Sequence, residues 1–323
     1  MGITRVLIIK IAALGDIVDA STLIAEIKKE YPSSHITWVC AEDLKSLVSL
    51  FKGVDKIITI DRNLLKKGFF SRVRCALSLI SKIALRRYDL CVVAQQSKYY
   101  NFFCSLTLSK KRQIIGGRNG PLPARYRGNE YARLLSGSDF FSDRMPEFAQ
   151  FDAPEDSTQG EILLMPAGAI HSIPYEGIRR WPVENYVELA RILTGRGFEV
   201  GLIGDEKDKW AEEYFDGIDV ISYLGKLSIP QLVAKLKGCR VLISHDSGPM
   251  HLCFALKKPL VAILGPTYHR ECLPPERELI KVVKYDMPCS PCYNGTTFAD
   301  CKEGQCMKKI SVVDVLKAVD FYV

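Results

Sequence analysis

The chain has 323 residues, 44 of them Lys or Arg against 37 Asp or Glu, for a formal net charge of +7. With 47 % apolar and 25 % charged residues it has a globular composition and the length for two cores, since domains usually run to about 100–200 residues. No apolar run approaches the roughly 18 residues of a membrane span, and the first apolar segment carries Lys10, so it reads as a strand and not as a secretion signal. A cytoplasmic protein is expected.

Residues 5–18 read RVLIIKIAALGDIV. A buried-strand pattern runs into a small-residue loop containing Gly15, and Asp16 opens a predicted helix that continues to about Tyr31 and is stopped by Pro32. Strands are then predicted at 36–40, 56–60, 90–94 and 113–115, with helices around 44–51 and 69–85 between them. Residues 116–160 lose this rhythm, and FDAPEDSTQGE at 151–161 reads as a linker. The alternation restarts with strands at 162–165, 200–203, 220–222 and 241–243, helices over 183–193 and from Glu206 and Ser228, and a helix at the C-terminal end. Such alternation is the mark of a doubly wound parallel sheet, so two Rossmann-like α/β domains are expected, 1–155 and 156–323.

The densest stretch is RVLISHDSGPMHLCFALKKPLVAILG at 240–265. A buried strand stops at a small polar cluster, Pro249 suits the first turn of a helix, and a helix predicted over 250–256 begins with free N–H groups aimed across the strand end. That geometry binds phosphates. His251 falls beside those donors, and Asp246 is placed to accept from a ribose or sugar hydroxyl; an ordinary strand-to-helix turn is the plainer reading. Asp16 is likewise open to two roles, a helix N-cap or a carboxylate at the carboxyl end of the first strand, where open α/β sheets place their chemistry.

Taken in order, these motifs resemble those of the ADP-heptose:lipopolysaccharide heptosyltransferases, inverting glycosyltransferases of the GT-B architecture. The resemblance runs over nearly the whole chain. It implies two facing Rossmann-like domains with a cleft between them, the first binding acceptor and the second nucleotide sugar. Leu14, Gly15 and Asp16 resemble the family's loop whose Asp is regarded as the base. Gly168 and Ala169 resemble the turn that opens the donor site, and Arg179, Arg180, Trp181 and Pro182 an element whose first basic residue contacts the donor phosphates. Asp246, Ser247, Gly248 and His251 resemble the signature that holds the nucleotide sugar, and Glu206 lies where the family has an acidic residue near the ribose. Trp181 is equally a packing anchor, and Glu206 equally a first-turn helix carboxylate.

The sequence departs from the family at Asp19 and Thr22, where a His and a Pro are common, in the length of IHSIPYEGI after Ala169, and at Arg179, where Lys is more typical. The implied reaction is transfer of heptose from ADP-heptose to the inner core of lipopolysaccharide. Another nucleotide sugar, a protein acceptor, a sugar-nucleotide epimerase and a non-catalytic nucleotide-sugar-binding protein are the alternatives. A dehydrogenase is disfavoured because the first strand-to-helix turn lacks G-x-G-x-x-G.

Inverting transfer needs one base, and the Asp16 pKa would need to rise somewhat through burial for it to serve near neutral pH. The leaving diphosphate must be met by a metal or by fixed donors. Without a suitable Asp-x-Asp pair, Arg179, Arg180 and the N–H groups after Gly248 are the expected donors, and no cofactor is expected for catalysis. From Arg62 to Arg127 the only acidic residue is Asp89. That field attracts polyanions. An acidic glycolipid acceptor at the inner face of the inner membrane, with the protein peripheral there, suits it better than nucleic acid, for which no binding module is seen; a solvated basic face is the bland alternative. Near the C-terminal end, Cys289, Cys292, Cys301 and Cys306 cluster in PCSPCYNGTTFADCKEGQC. A structural zinc or iron, a disulfide and free thiols are all open to them.

Overall fold

The computed structural model describes residues 4–62, 68–96, 98–116, 120–137, 147–152, 159–168, 177–275, 278–294, 297–299, 301 and 303–323. The chain divides into two compact units, Met1–Asp152 and Ala153–Val323. The boundary expected at residue 155 falls among residues 153–158, outside the described ones.

In the first unit, strands β1 (Arg5–Ile9), β2 (His35–Ala41), β3 (Lys56–Ile60), β4 (Arg87–Val93) and β5 (Leu108–Ile114) form a parallel sheet in the order β3-β2-β1-β4-β5. The central strands carry long apolar runs because helices cover both faces; Val6 to Ile9 and Cys91 to Val93 are fully buried. Right-handed crossovers put the helices after β1 and β2 on one face and Phe69–Ile83 and Lys98–Ser105 on the other. Arg127–Ser136 packs against the helices that follow β1.

Several elements differ from expectation for local reasons. The first helix is two, Leu14–Ala20 and Thr22–Glu30, meeting at Ser21. Strand β5 begins five residues before the predicted start, at Leu108 and not Gln113. It is an edge strand whose residues are largely exposed, so LSKKRQI carries charge where a central strand carries Val and Ile. The helix Arg127–Ser136 is hidden in the sequence because it buries polar residues: Glu130 is ion-paired with Arg125 and Arg133 at 3.2 and 2.8 Å.

The second unit holds β6 (Ile162–Met165), β7 (Val200–Leu202), β8 (Ile221–Ser222), β9 (Val241–His245), β10 (Leu260–Ile263) and β11 (Ile280–Val283), parallel in the order β11-β10-β9-β6-β7-β8. Strand β11 is not anticipated by the sequence pattern. The segment from Glu206 is a 3-10 helix to Phe215, and the C-terminal helix Val312–Val319 packs its Val315 and Val319 into the core.

Candidate functional site

In each sheet the strand order reverses between two neighbouring strands, β1 and β4 in the first unit, β6 and β9 in the second. The connections leaving such a pair diverge to opposite faces and open a crevice at the carboxyl ends, where open α/β sheets bind ligands. Strand β6 runs out toward Gly168 and β9 toward Asp246, so the two loops picked out in the second half of the sequence flank one switch point. Asp16 follows β1 at the switch point of the first unit, where Ile11 N–H donates to Gln95 Oε1 of the segment after β4, at 3.3 Å.

Asp246 organises the second site. Its Oδ2 accepts from Arg179 Nη1 and from Thr267 Oγ1, each at 2.7 Å, and its Oδ1 lies 3.9 Å from His251 Nε2. Burial alone would raise this carboxyl, but Arg179, His251 and Thr267 outweigh it and hold Asp246 ionised, well below the usual carboxylate range. Asp246 thereby orients two basic side chains, Arg179 and His251. Thr267 has no motif to reveal it, only its position just after β10.

The helix here is Gly248–Ala255, starting two residues before the predicted Met250, with Ser247 as N-cap. Ser247 does not cap it through its side chain; its hydroxyl bonds Ser244 Oγ at 2.8 Å. The first-turn N–H groups are thereby left to a ligand. Gly168 has φ +85, and a Cβ there would come within 2.6 Å of Met165 Cε, so only glycine fits. Its N–H donates to Asp208 Oδ1 at 2.8 Å and its carbonyl accepts from Arg180 Nε at 2.6 Å. Arg180 also lies over the Trp210 ring, 5.5 Å from its centroid, which fixes the guanidinium from a second side. Arg179, Arg180 and the loop glycine are thus held by Asp246, Trp210 and Asp208, of which only Asp246 stood out in the sequence.

Trp181 is fully buried, donates from Nε1 to the Ile310 carbonyl at 2.9 Å and meets Tyr186 edge-on at 4.9 Å. It is a packing anchor, not a stacking platform. Tyr186 in turn holds His245 Nδ1 at 3.1 Å. Burial and then Arg179 push the His245 pKa down to about 3, so this ring is neutral. Glu206 is exposed, ion-paired with Lys209 at 2.8 Å, at the start of the segment following β7. Ala169 and His171 lie outside the described residues.

In the first unit Asp16 is not the N-cap. The N-cap is Ala13, and Asp16, three residues on, accepts the Ala13 N–H at 3.1 Å. Its side chain is 45 % exposed and lies 3.6 Å from the buried Lys10 Nζ. The burial on which a raised pKa was to depend is not there; a cation is. Burial would lower the Lys10 pKa, but Asp16, Tyr131 and Asp19 more than offset it and keep the ammonium charged. The Asp16 carboxylate thus stands beside a fixed cation and is reachable from solvent. Asp19 and Thr22, the departures from the family pattern, are buried, with Tyr126 O–H donating to Asp19 Oδ1 at 2.6 Å and Thr22 Oγ1 to the Gly128 carbonyl at 3.0 Å. They fasten this loop to the segment entering Arg127–Ser136.

Among the four clustered cysteines, Cys289 is exposed, Cys292 and Cys301 are half-buried and Cys306 is buried, all as free thiols. Burial pushes Cys306 up, and the nearby Cys292, Cys301 and Cys289 add to it. Among the described residues no group of three or more His, Cys, Asp or Glu is arranged for a metal.

Each of the two units is a Rossmann-like parallel sheet with polar residues at its switch point, a fold shared with two-domain glycosyltransferases. The sequence profile of glycosyltransferase family 9 (heptosyltransferase) matches residues 149–302. Lipooligosaccharide heptosyltransferase 2 of Haemophilus ducreyi is 27 % identical over 298 residues, covering 81 % of this chain and 84 % of the relative. The E. coli heptosyltransferase WaaC solved with ADP superposes with a TM-score of 0.77 at 17 % identity, over 99 % of this chain and 100 % of that one. A family 9 glycosyltransferase from Veillonella parvula gives 0.76 at 18 % identity, over 99 % and 98 %. The chain is a glycosyltransferase similar to the family 9 heptosyltransferases, whose profile covers just under half of it.

Proposed function

We propose that the protein transfers a heptose from ADP-heptose to an acidic inner-core acceptor of lipopolysaccharide, the second unit holding the donor and the first the acceptor. The observation that carries this reading is the pairing of the Gly168 loop with the Asp246–Gly248 loop at the β6/β9 switch point, with Arg179, Arg180 and His251 supplying basic groups. An adenosine diphosphate placed there meets two guanidinium groups and the N–H groups of Gly248–Ala255, and Glu206 supplies a carboxylate for the ribose. The relative from Haemophilus ducreyi and the ADP-bound fold neighbour support the same donor.

In the reaction the acceptor hydroxyl oxygen attacks the anomeric carbon, Asp16 takes the hydroxyl proton, and the bond from that carbon to the phosphate oxygen breaks with its electron pair leaving on ADP. Attack opposite the leaving group inverts the centre. The charge gathering on the diphosphate is met by Arg179, Arg180 and backbone N–H groups, which do the work a metal ion does elsewhere. The exposed cations between Arg62 and Arg127 favour an acceptor carrying phosphate or carboxylate, and such a lipid-borne acceptor places the protein peripherally at the cytoplasmic face of the inner membrane.

Calorimetry with ADP- and UDP-sugars, followed by transfer assays with and without chelator, tests the reading. Preference for ADP-heptose and chelator-resistant transfer to a phosphorylated lipid A acceptor carrying keto-deoxy-octulosonate or heptose is expected. Preference for a UDP-sugar, or activity lost to chelator and restored by magnesium, would overturn it.

A further inference from the structure

Lys10 stands at the carboxyl end of β1 between Ile9 and Ile11, both buried, and is itself only 3 % exposed. Its main chain extends the sheet: the N–H donates to the Val39 carbonyl at 3.2 Å, and the carbonyl accepts from Trp38 Nε1 at 3.1 Å. The backbone therefore asks nothing of the side chain. Nor does the core, since burying an ammonium is costly and an apolar side chain of similar length fills the same space without that cost.

Three polar side chains meet the buried ammonium. Asp16 Oδ2 lies 3.6 Å from Nζ, the Tyr131 ring has its centroid 5.4 Å away, and Asp19 acts from the next turn of Leu14–Ala20. Asp19 is buried and accepts from Tyr126 O–H at 2.6 Å. Tyr131 is buried too, and burial pushes its phenol up, so it stays neutral, with Arg127 adding a positive charge from the start of the same helix. Of the three, Asp16 alone reaches solvent. Its Oδ2 is also the atom that accepts the Ala13 N–H at 3.1 Å, so both contacts grip the carboxylate by one oxygen. A cation that neither sheet nor core requires is thus turned toward the exposed carboxylate at the switch point.

We propose that Lys10 is a positioning residue for the transfer reaction, reaching out of the core to fix the Asp16 carboxylate at the end of β1. The inference rests on the reading of Asp16 as the base. Two effects of the cation oppose each other. It makes Asp16 a weaker base, by about one unit for unit charges this close in a half-exposed setting. It also fixes the direction of a side chain that otherwise rotates in solvent. Direction wins, because a proton is transferred only within hydrogen-bond reach and a base displaced by about 1 Å loses more than one unit of basicity returns. Removing the cation therefore slows turnover even though the carboxylate left behind is the stronger base.

Lys10→Met, which removes the charge and keeps the length, tests the proposal in the full chain. Asp16 is hydrated when its partner goes, so the variant should unfold in urea at a midpoint close to that of the parent. Its Asp16 carboxyl carbon, followed by NMR without donor or acceptor, should titrate about one unit higher. In transfer assays at neutral pH, kcat should fall about tenfold with the KM for ADP-heptose unchanged, and the acid limb of kcat/KM should move up with Asp16. In an Asp16→Asn background the same substitution should cost nothing further. An unmoved Asp16 titration, an unchanged or faster kcat, or the full tenfold loss repeated in the Asp16→Asn background would overturn the positioning role. So would failure of both Lys10→Met and Lys10→Gln to fold, which would show that the core itself needs the lysine. Normal transfer by Asp16→Asn together with a shifted titration sinks the base alone, and transfer lost in Asp16→Asn with an unmoved titration sinks the positioning role alone.

Discussion

Replacing Asp246 by Asn removes one charge from a pair whose side chains are only 11 % and 10 % exposed. The amide keeps the shape and still accepts from Thr267, but Arg179 loses its counter-charge while remaining out of water. Removing one partner of a buried pair costs about 3–5 kcal/mol, and the retained Thr267 bond puts the expectation near about 3 kcal/mol. Urea unfolding followed by fluorescence should show that loss in the absence of nucleotide. Saturating ADP should then narrow the gap between variant and parent, because the diphosphate supplies Arg179 with a replacement anion and binding to the native state adds to its stability. A variant as stable as the parent would show that the pair is effectively solvated. A deficit equal with and without ADP would show that Arg179 does not meet the diphosphate.

Asp16→Asn should lower turnover about a hundredfold while leaving ADP affinity near that of the parent, since the two groups belong to different units; a normal turnover would remove Asp16 as the base. His245 provides a pH test. Its folded pKa of about 3 lies below the ordinary 6.5, so the unfolded chain takes up a proton that the folded chain refuses as pH falls between those values. Stability is therefore full above 6.5 and declines below it, by about 2 kcal/mol at pH 5. His245→Gln, which keeps a partner for Tyr186, should flatten that part of the stability profile, and an unchanged slope would mean the ring titrates normally. Native thiol labelling should modify Cys289 well before Cys306; slow reaction of all four, with near-stoichiometric zinc or iron by elemental analysis, would instead restore a metal site there.

The strands that build the switch points were legible because the buried runs of parallel strands hold few polar side chains, as in Val6–Ile9, Ile162–Met165 and Val241–Ile243. Strand β5 was mostly hidden for the converse reason, with solvent along its edge admitting three consecutive cations. At the site, Arg179 and Asp246 were each visible through a motif, but their contact spans 67 residues, and no local pattern encodes it. Asp208 and Thr267 were invisible as site residues. They are single polar residues in variable surroundings, and only the folded loop reveals that one carries the Gly168 N–H and the other the second hydrogen bond to Asp246. The position of Asp16 at a strand end was legible, but its half-exposed side chain beside Lys10 was not, because exposure depends on what packs over a loop and not on the loop's own letters.

The bond from Trp181 to the Ile310 carbonyl ties the arginine element to a segment synthesised some 130 residues later, and Gly304 lies against Ile178 in the same region. During synthesis the first unit has its whole sequence available early and folds as a unit. The second unit does not: until Ile310 has emerged from the ribosome, Trp181 lacks its buried partner and the turn carrying Arg179 and Arg180 lacks that tie. Nascent chains halted before that point would thus present a finished first sheet and an unfinished pair of loops at the β6/β9 switch point, which makes the arrangement of that site among the last properties the polypeptide acquires.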